Sequence, residues 1–195
     1  MKVDIILSGV GGQGILSIAA VIGEAAVHHN LYMKQAEVHG MSQRGGDVQS
    51  NLRISDKPIY SDLIPKGKAN LIISLEPMES LRYLPYLAPN GWIVTNSTPL
   101  INISNYPPTD ELQIALDAIP QKVVFDVDQI AKQVGSIRVA NMVMLGAATP
   151  FLGITFEEIE NGIRRIFGRK GADVVDLNLK ALAAGKKIAN ESIHL

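Results

Sequence analysis

Two glycine-rich segments carry the residue types and spacings that could do chemistry in this sequence. The first, Gly9-Val10-Gly11-Gly12-Gln13-Gly14, has the G-x-G-x-x-G form, follows a short apolar run and opens a helical pattern. Glycines permit a tight turn and close backbone approach, and free amides at a helix start attract anions. Three readings fit this loop. It could hold a dinucleotide, with Glu37 near the end of the next strand as the ribose-binding acid. Its glycines could serve only to pack strand, turn and helix closely. Or its amides could face a ligand held mainly by another chain.

The second segment is Gly40-Met41-Ser42-Gln43-Arg44-Gly45-Gly46, preceded by His39 and followed by Asp47. It combines an arginine able to make two parallel hydrogen bonds, small polar side chains and flanking glycines. It comes after the second strand pattern, so it is expected on the carboxyl edge of the sheet beside the first loop, where open α/β sheets bind ligands. The plain alternative is a solvated hairpin connection, because turns are rich in glycine and serine. His39 suits either a site role or support of the loop.

The elements that must position these loops read as alternating strands and helices. Residues 3–8 form a buried strand pattern, 13–29 have helical periodicity and 32–39 read as a second strand. Residues 48–54 alternate at period two. Through Ser55-Asp56-Lys57-Pro58 to Ile59-Tyr60 they predict a hairpin, hence an antiparallel portion on an otherwise parallel sheet. Further strands are expected at 70–75, at 92–96 after the turn Pro89-Asn90-Gly91, and at 123–126. A helix is expected over about 77–87 and a loop or crossover over 98–109. Helices follow over 128–134, 139–149, 156–167 and 174–190, with Thr155 and Glu158 spaced as a capping box. The predicted fold is one Rossmann-like three-layer α/β domain over 1–195, mainly helical from about 128.

Bulk composition narrows the function. The chain of 195 residues is 47% hydrophobic and 19% charged, with a mean hydropathy of +0.15. It is long enough to bury a core without staples, and its low charge suits a surface that is partly interface. The formal net charge of −1 gives no basic excess for nucleic acid. There is no cysteine, so disulfides, thiolate nucleophiles and ordinary iron–sulfur ligation are outside this chain's own chemistry. The apolar stretch from Val139 to Ile154 is too short, and too broken by Gly146, Pro150 and Gly153, to span a membrane. The N-terminus enters a strand pattern with no cationic flank or cleavage site, which predicts a mature, cytoplasmic chain.

The two glycine motifs at this separation, with Glu37-Val38-His39 before the second and Ser50 and Arg53 after it, make the sequence resemble the gamma-type subunits of 2-oxoacid:ferredoxin oxidoreductases. His39, Met41 and Gln43 give the loop the look of the indolepyruvate branch; pyruvate-type relatives more often have a Tyr-Gly-x-Glu-x-Arg-Gly-Gly version. Asp47 departs from the small residue more usual there, and a carboxylate disfavours direct phosphate contact at that end of the loop. The resemblance implies a larger partner subunit that holds thiamine diphosphate, Mg²⁺ and [4Fe–4S] clusters. It implies decarboxylation of an aryl pyruvate to an acyl-CoA, with electrons passed to ferredoxin through the complex. This chain would complete the active-site wall or the coenzyme A region and carry no catalytic residue. A homodimer of the isolated chain would be a substitute contact.

Other polar residues read as structural. His28 and His29 close the first helix, where imidazolium suits the helix dipole, and His194 lies in a tail. Lys66, Lys68, Arg164, Arg165, Arg169, Lys170, Lys186 and Lys187 read as solvated charges, those near 164–170 also as a face for an acidic partner. Asp126 and Asp128 lack a third oxygen-rich cluster for a metal. Against the subunit reading stand a stand-alone NAD(P)-dependent enzyme, which lacks an evident acid/base constellation, and a small-molecule-binding regulator.

Overall fold

The computed structural model describes residues 1–39 and 45–193, with His39 described through its backbone. Six strands form one sheet: β1 (Lys2–Val10), β2 (Tyr32–His39), β3 (Asp47–Ser55), β4 (Ala69–Ser74), β5 (Leu87–Asn96) and β6 (Lys122–Phe125), in the order β2-β3-β1-β4-β5-β6. All run the same way except β3, which pairs antiparallel with both β1 and β2. The antiparallel portion is therefore real, but its hairpin is 32–39 with 47–55. Ile59 and Tyr60 form no strand. Local alternation marked 48–54 as a strand, and only the tertiary pairing shows that it turns back on the strand before it rather than the one after.

Helices cover both faces. On one side lie α1 (Ile15–His28), α4 (Val127–Val134), α5 (Ala140–Ala148), α6 (Phe156–Phe167) and α7 (Ala172–Ile193). On the other lie α2 (Pro77–Arg82) and α3 (Thr109–Asp117). Strand β1 shows why its sequence lacks alternation. Ile5 and Leu7 enter the α1/α5 core, Ile6 enters the α2/α3 core, and all three are fully buried. The helix expected to reach 87 stops at Arg82; a 3-10 turn over Leu84–Tyr86, with Pro85 inside it, follows. The Pro89-Asn90-Gly91 bend lies inside β5, as a shift in its pairing with β4 between Ala69 and Leu71. The helix over 109–117 has weak periodicity, with Leu112 and Leu116 as its buried residues, and so escapes a pattern-based reading. The capping box at Thr155 forms in both directions.

Several charges read as solvated have internal partners. Arg165 pairs with Glu24 at 3.0 Å, Lys186 sits 4.0 Å from the centre of the Phe156 ring and Lys170 5.2 Å from that of Phe167. His28 pairs with Glu24 at 3.1 Å and His29 with Glu158, so the two histidines tie the end of α1 to its own side and to α6.

Arg53, part of the sequence resemblance, is a structural residue. Its guanidinium makes two hydrogen bonds to buried Asp4, at 2.8 and 3.1 Å, and donates to the carbonyls of Ser61 and Leu63, each at 3.0 Å. The pair sits at the amino end of β1, across from the glycine loops. Removing Arg53 leaves buried Asp4 with only the exposed Lys2 ammonium, 3.0 Å away, to balance it, and an under-compensated buried charge is costly, whereas two matched apolar replacements are not. Arg53→Ala is expected to cost about 3 kcal/mol of stability, read as a lower urea midpoint at an unchanged slope. An unchanged midpoint would show that Lys2 and water satisfy Asp4 without the guanidinium.

Candidate functional site

The carboxyl edge of the sheet gathers the ends of β1, β4, β5 and β6. Small hydroxyl residues line the last buried row: Ser8 on β1 faces Ser74 on β4, which faces Thr95 on β5. Ser74 Oγ donates to the Glu76 carbonyl at 2.7 Å and so seats the start of α2. Such short side chains leave room for the loops to settle directly over the strand ends.

The first glycine loop crosses this edge. Gly12 and Gly14 have positive φ, 104° and 88°, and Gly14 caps α1 in a left-handed conformation. A Cβ on Gly14 would lie 2.7 Å from Asn141 Nδ2, which donates to the Gly14 carbonyl at 3.2 Å. Gln13 closes the loop from inside. Its Oε1 accepts from the Val10 amide at 2.8 Å, and its Nε2 donates to the Leu75 carbonyl at 3.0 Å. The carboxamide thus spans the crevice between the ends of β1 and β4. There the chain leaves β1 toward β2 on one side while β4 and β5 lie on the other, the switch point at which open α/β sheets receive ligands.

The end of the second glycine segment reaches this loop. The Gly11 amide donates to the Gly46 carbonyl at 2.8 Å, and Asn102 Nδ2 donates to the Gly45 carbonyl at 2.8 Å. Of the predicted site residues, Gly9, Gly11, Gly12, Gln13, Gly14, Gly45 and Gly46 therefore lie together on one edge. Gly40, Met41, Ser42, Gln43 and Arg44 lie outside the described residues, as does the side chain of His39. An open cleft of about 430 Å³ flanks the loop on the side of Leu16 and Val48, and another of about 390 Å³ flanks it on the side of Leu100 and Ile137.

Sequence reasoning missed the loop over 97–108 as part of this edge. It is anchored on Glu76, a fully buried carboxylate that caps α2 by accepting from the Glu79 amide at 2.8 Å. Glu76 also accepts from the Leu100 amide at 3.3 Å and from the Tyr106 hydroxyl. Burial first, then this hydrogen bond, raise the Tyr106 pKa, so the phenol stays protonated as a donor. Burial also pushes Tyr83 up to about 12 and raises the Glu79 carboxyl against the opposing pull of Arg82. The prolines at 99, 107 and 108 marked a connection; no local pattern marked its carboxylate anchor. Asp126 caps α4 by accepting from the Gln129 amide at 2.8 Å, a structural use. Among the described residues there is no group of three or more His, Cys, Asp or Glu placed to hold a metal, and no helix long and apolar enough to cross a membrane.

The dinucleotide reading of the loop fails on geometry. In a dinucleotide site the acid-bearing strand lies next to β1, but here β3 is inserted between β1 and β2. Glu37 thus stands two strand spacings, about 10 Å, from β1. Its carboxylate accepts from Gln35 Nε2 at 2.7 Å. Gln13 meanwhile occupies the crevice. Calorimetry with NAD⁺ and NADP⁺ is expected to show no binding in the micromolar range. A micromolar dissociation constant, roughly −8 kcal/mol, would reinstate the cofactor reading.

The model of the pyruvate ferredoxin/flavodoxin oxidoreductase family matches residues 4–188. The chain belongs to this family. The indolepyruvate oxidoreductase subunit IorB of Thermococcus kodakarensis is 36% identical over 202 residues, spanning 98% of each chain. The keto/oxoacid ferredoxin oxidoreductase gamma subunit from Geobacter sulfurreducens superposes with a TM-score of 0.71 at 26% identity, covering 97% of this chain and 99% of that one. Ketoisovalerate oxidoreductase subunit VorA of Methanothermobacter thermautotrophicus is 26% identical across 99% of this chain, which spans only 38% of that relative. The family thus includes members in which the counterpart of this chain is one part of a longer polypeptide.

Proposed function

We propose that the chain is the small, non-catalytic subunit of an indolepyruvate-type 2-oxoacid:ferredoxin oxidoreductase. The observation that carries this reading is the end-to-end match to an oxidoreductase subunit in a chain with no cysteine. Cluster ligation by thiolates is outside its chemistry, so the redox hardware belongs to a partner. In this reading a larger subunit holds thiamine diphosphate, Mg²⁺ and [4Fe–4S] clusters, and supplies the carbanion and electron-transfer chemistry. Ferredoxin receives electrons through the complex, and coenzyme A takes the acyl group.

What this chain contributes is a stiff edge. The Gln13 clamp, the Gly11–Gly46 bond and the Glu76 anchor hold the glycine loop and its neighbours in place without a ligand. A preformed wall costs little ordering on assembly and keeps water from the face it covers. The segment from His39 to Arg44 leads into Gly45 and Gly46, so it is the part of this chain assigned to the oxoacid or coenzyme A side.

The test is reconstitution. The isolated chain should reduce no viologen with indolepyruvate, other 2-oxoacids and coenzyme A, and turnover should appear when the thiamine-dependent subunit is added. Turnover by the pure chain alone would overturn the assignment.

A further inference from the structure

We propose that the loop over 97–108, with the rim of the first glycine loop, is the surface on which the partner oxidoreductase subunit seats. The proposal rests on the subunit reading above and says where the contact lies. Residues 97–108 contain no charged side chain, although the loop lies at the surface. Leu100, Ile101 and Ile103 are 44%, 71% and 39% exposed. Leu16 and Ile137, also exposed, line the two clefts that flank the glycine loop, and Leu100 lines the second of them. Leu16, Leu100 and Ile137 thus ring the glycine loop, with Asp128 and Arg138 also in the second cleft, and Ile101 and Ile103 flank Asn102, whose side chain reaches Gly45. Depletion of charge with aliphatic exposure is the composition of an interface centre, not of a solvated connection.

The loop is also held in shape. Its Leu100 amide and Tyr106 hydroxyl are fixed on buried Glu76, and Asn102 is fixed on Gly45. Ordering a loop in advance removes an entropic cost that a partner would otherwise meet on binding.

The occupant follows from the longer relative. In VorA the counterpart of this chain is joined to further sequence, since this chain spans only 38% of it. The remainder of such a polypeptide stays beside the counterpart domain permanently and can cover an apolar zone on it. The relative matched over 98% of both lengths is itself named a subunit, so here the cover is another subunit of the complex, the thiamine-dependent one of the reading above. Its matching face is apolar at the centre, with polar groups opposite Asp128 and Arg138 of the second cleft.

The experiment uses the full chain and the tagged thiamine-dependent subunit. Binding is measured by calorimetry for the wild type, for Ile101→Glu with Ile103→Glu, and for Tyr60→Glu. Tyr60 is 92% exposed and lies near Met1 and Arg53, at the opposite edge of the sheet. Hydrogen exchange of the wild-type chain is followed with and without the partner, which needs no variant to fold. The double variant should bind at least about tenfold more weakly, Tyr60→Glu should bind as the wild type does, and amides within 97–108 should slow their exchange in the complex. A complex that forms with equal affinity in the double variant and no protection over 97–108 overturns the surface and leaves the subunit reading standing. Failure of the wild-type chains to associate overturns both. If the double variant breaks up a homodimer of this chain yet joins the partner normally, the face is a contact between copies and the proposal fails.

Discussion

Gly185→Ala is expected to destabilise the protein by about 4 kcal/mol, with Gly146→Ala close behind. Helix propensity argues the other way, since alanine in a helix interior is favoured over glycine by about 1 kcal/mol. The packing decides against propensity. A Cβ on Gly185, in α7, would lie 1.9 Å from the Val143 carbonyl oxygen of α5. One on Gly146, in α5, would lie 2.0 Å from the Leu182 carbonyl oxygen of α7. Both obstacles are backbone, so no rotamer change relieves them and the helices must separate by more than an ångström. That separation loosens Met142, Val143, Leu145 and Ala181, all fully buried at the centre of the larger core. The melting temperature should fall by roughly 8–16 °C for a chain of this size. Differential scanning calorimetry decides it: a melting temperature unchanged or slightly raised would mean that the two helices slide apart freely and that propensity wins.

Arg44→Ala should reduce turnover of the reconstituted complex by roughly 30-fold to several thousandfold, the equivalent of about 2–5 kcal/mol for a charge-assisted bond lost in a closed site. A guanidinium presents two parallel donors to a carboxylate or to a phosphate of coenzyme A, and lysine keeps the charge but loses the fork. Arg44→Lys should therefore be nearly as damaging as Arg44→Ala. The arginine precedes Gly45 and Gly46, whose carbonyls are tied to Asn102 and to Gly11 of the glycine loop. Thermal unfolding of the isolated variants should barely change. Normal activity in Arg44→Ala would reduce the segment to a connection. A melting temperature many degrees lower would make Arg44 a structural residue, as Arg53 proved to be.

Arg53 and Arg44 show the limit of reading a motif as a unit. Both belong to the pattern that makes the chain resemble its family. Yet Arg53 spends all its described hydrogen bonds on Asp4 and on the carbonyls of Ser61 and Leu63. Nothing local in the sequence announces Asp4 as its partner, because the two stand far apart in the chain and meet only through the β1–β3 register.

The sequence alone determined the element types and most of their places. The strand over 3–8 had to be buried on both faces, because Ile5, Ile6 and Leu7 follow one another without alternation. A helix had to follow the first glycine loop, and Thr155 with Glu158 had to cap another, because those features are written within a few residues of chain. The lack of cysteine excluded thiolate-held clusters before any fold was known. Tertiary structure decided what depends on contacts distant in sequence. The strand order inserted β3 between β1 and β2, which moved Glu37 away from the glycine loop and ended the dinucleotide reading. The reach of Gln13 from Val10 to Leu75 turned a binding fingerprint into a sealed turn. The fit of Glu76 to Leu100 and Tyr106 made an ordered face of a proline-rich connection. Periodicity and capping report the geometry of neighbouring residues, whereas each of these outcomes needs a partner set by how the sheet is threaded.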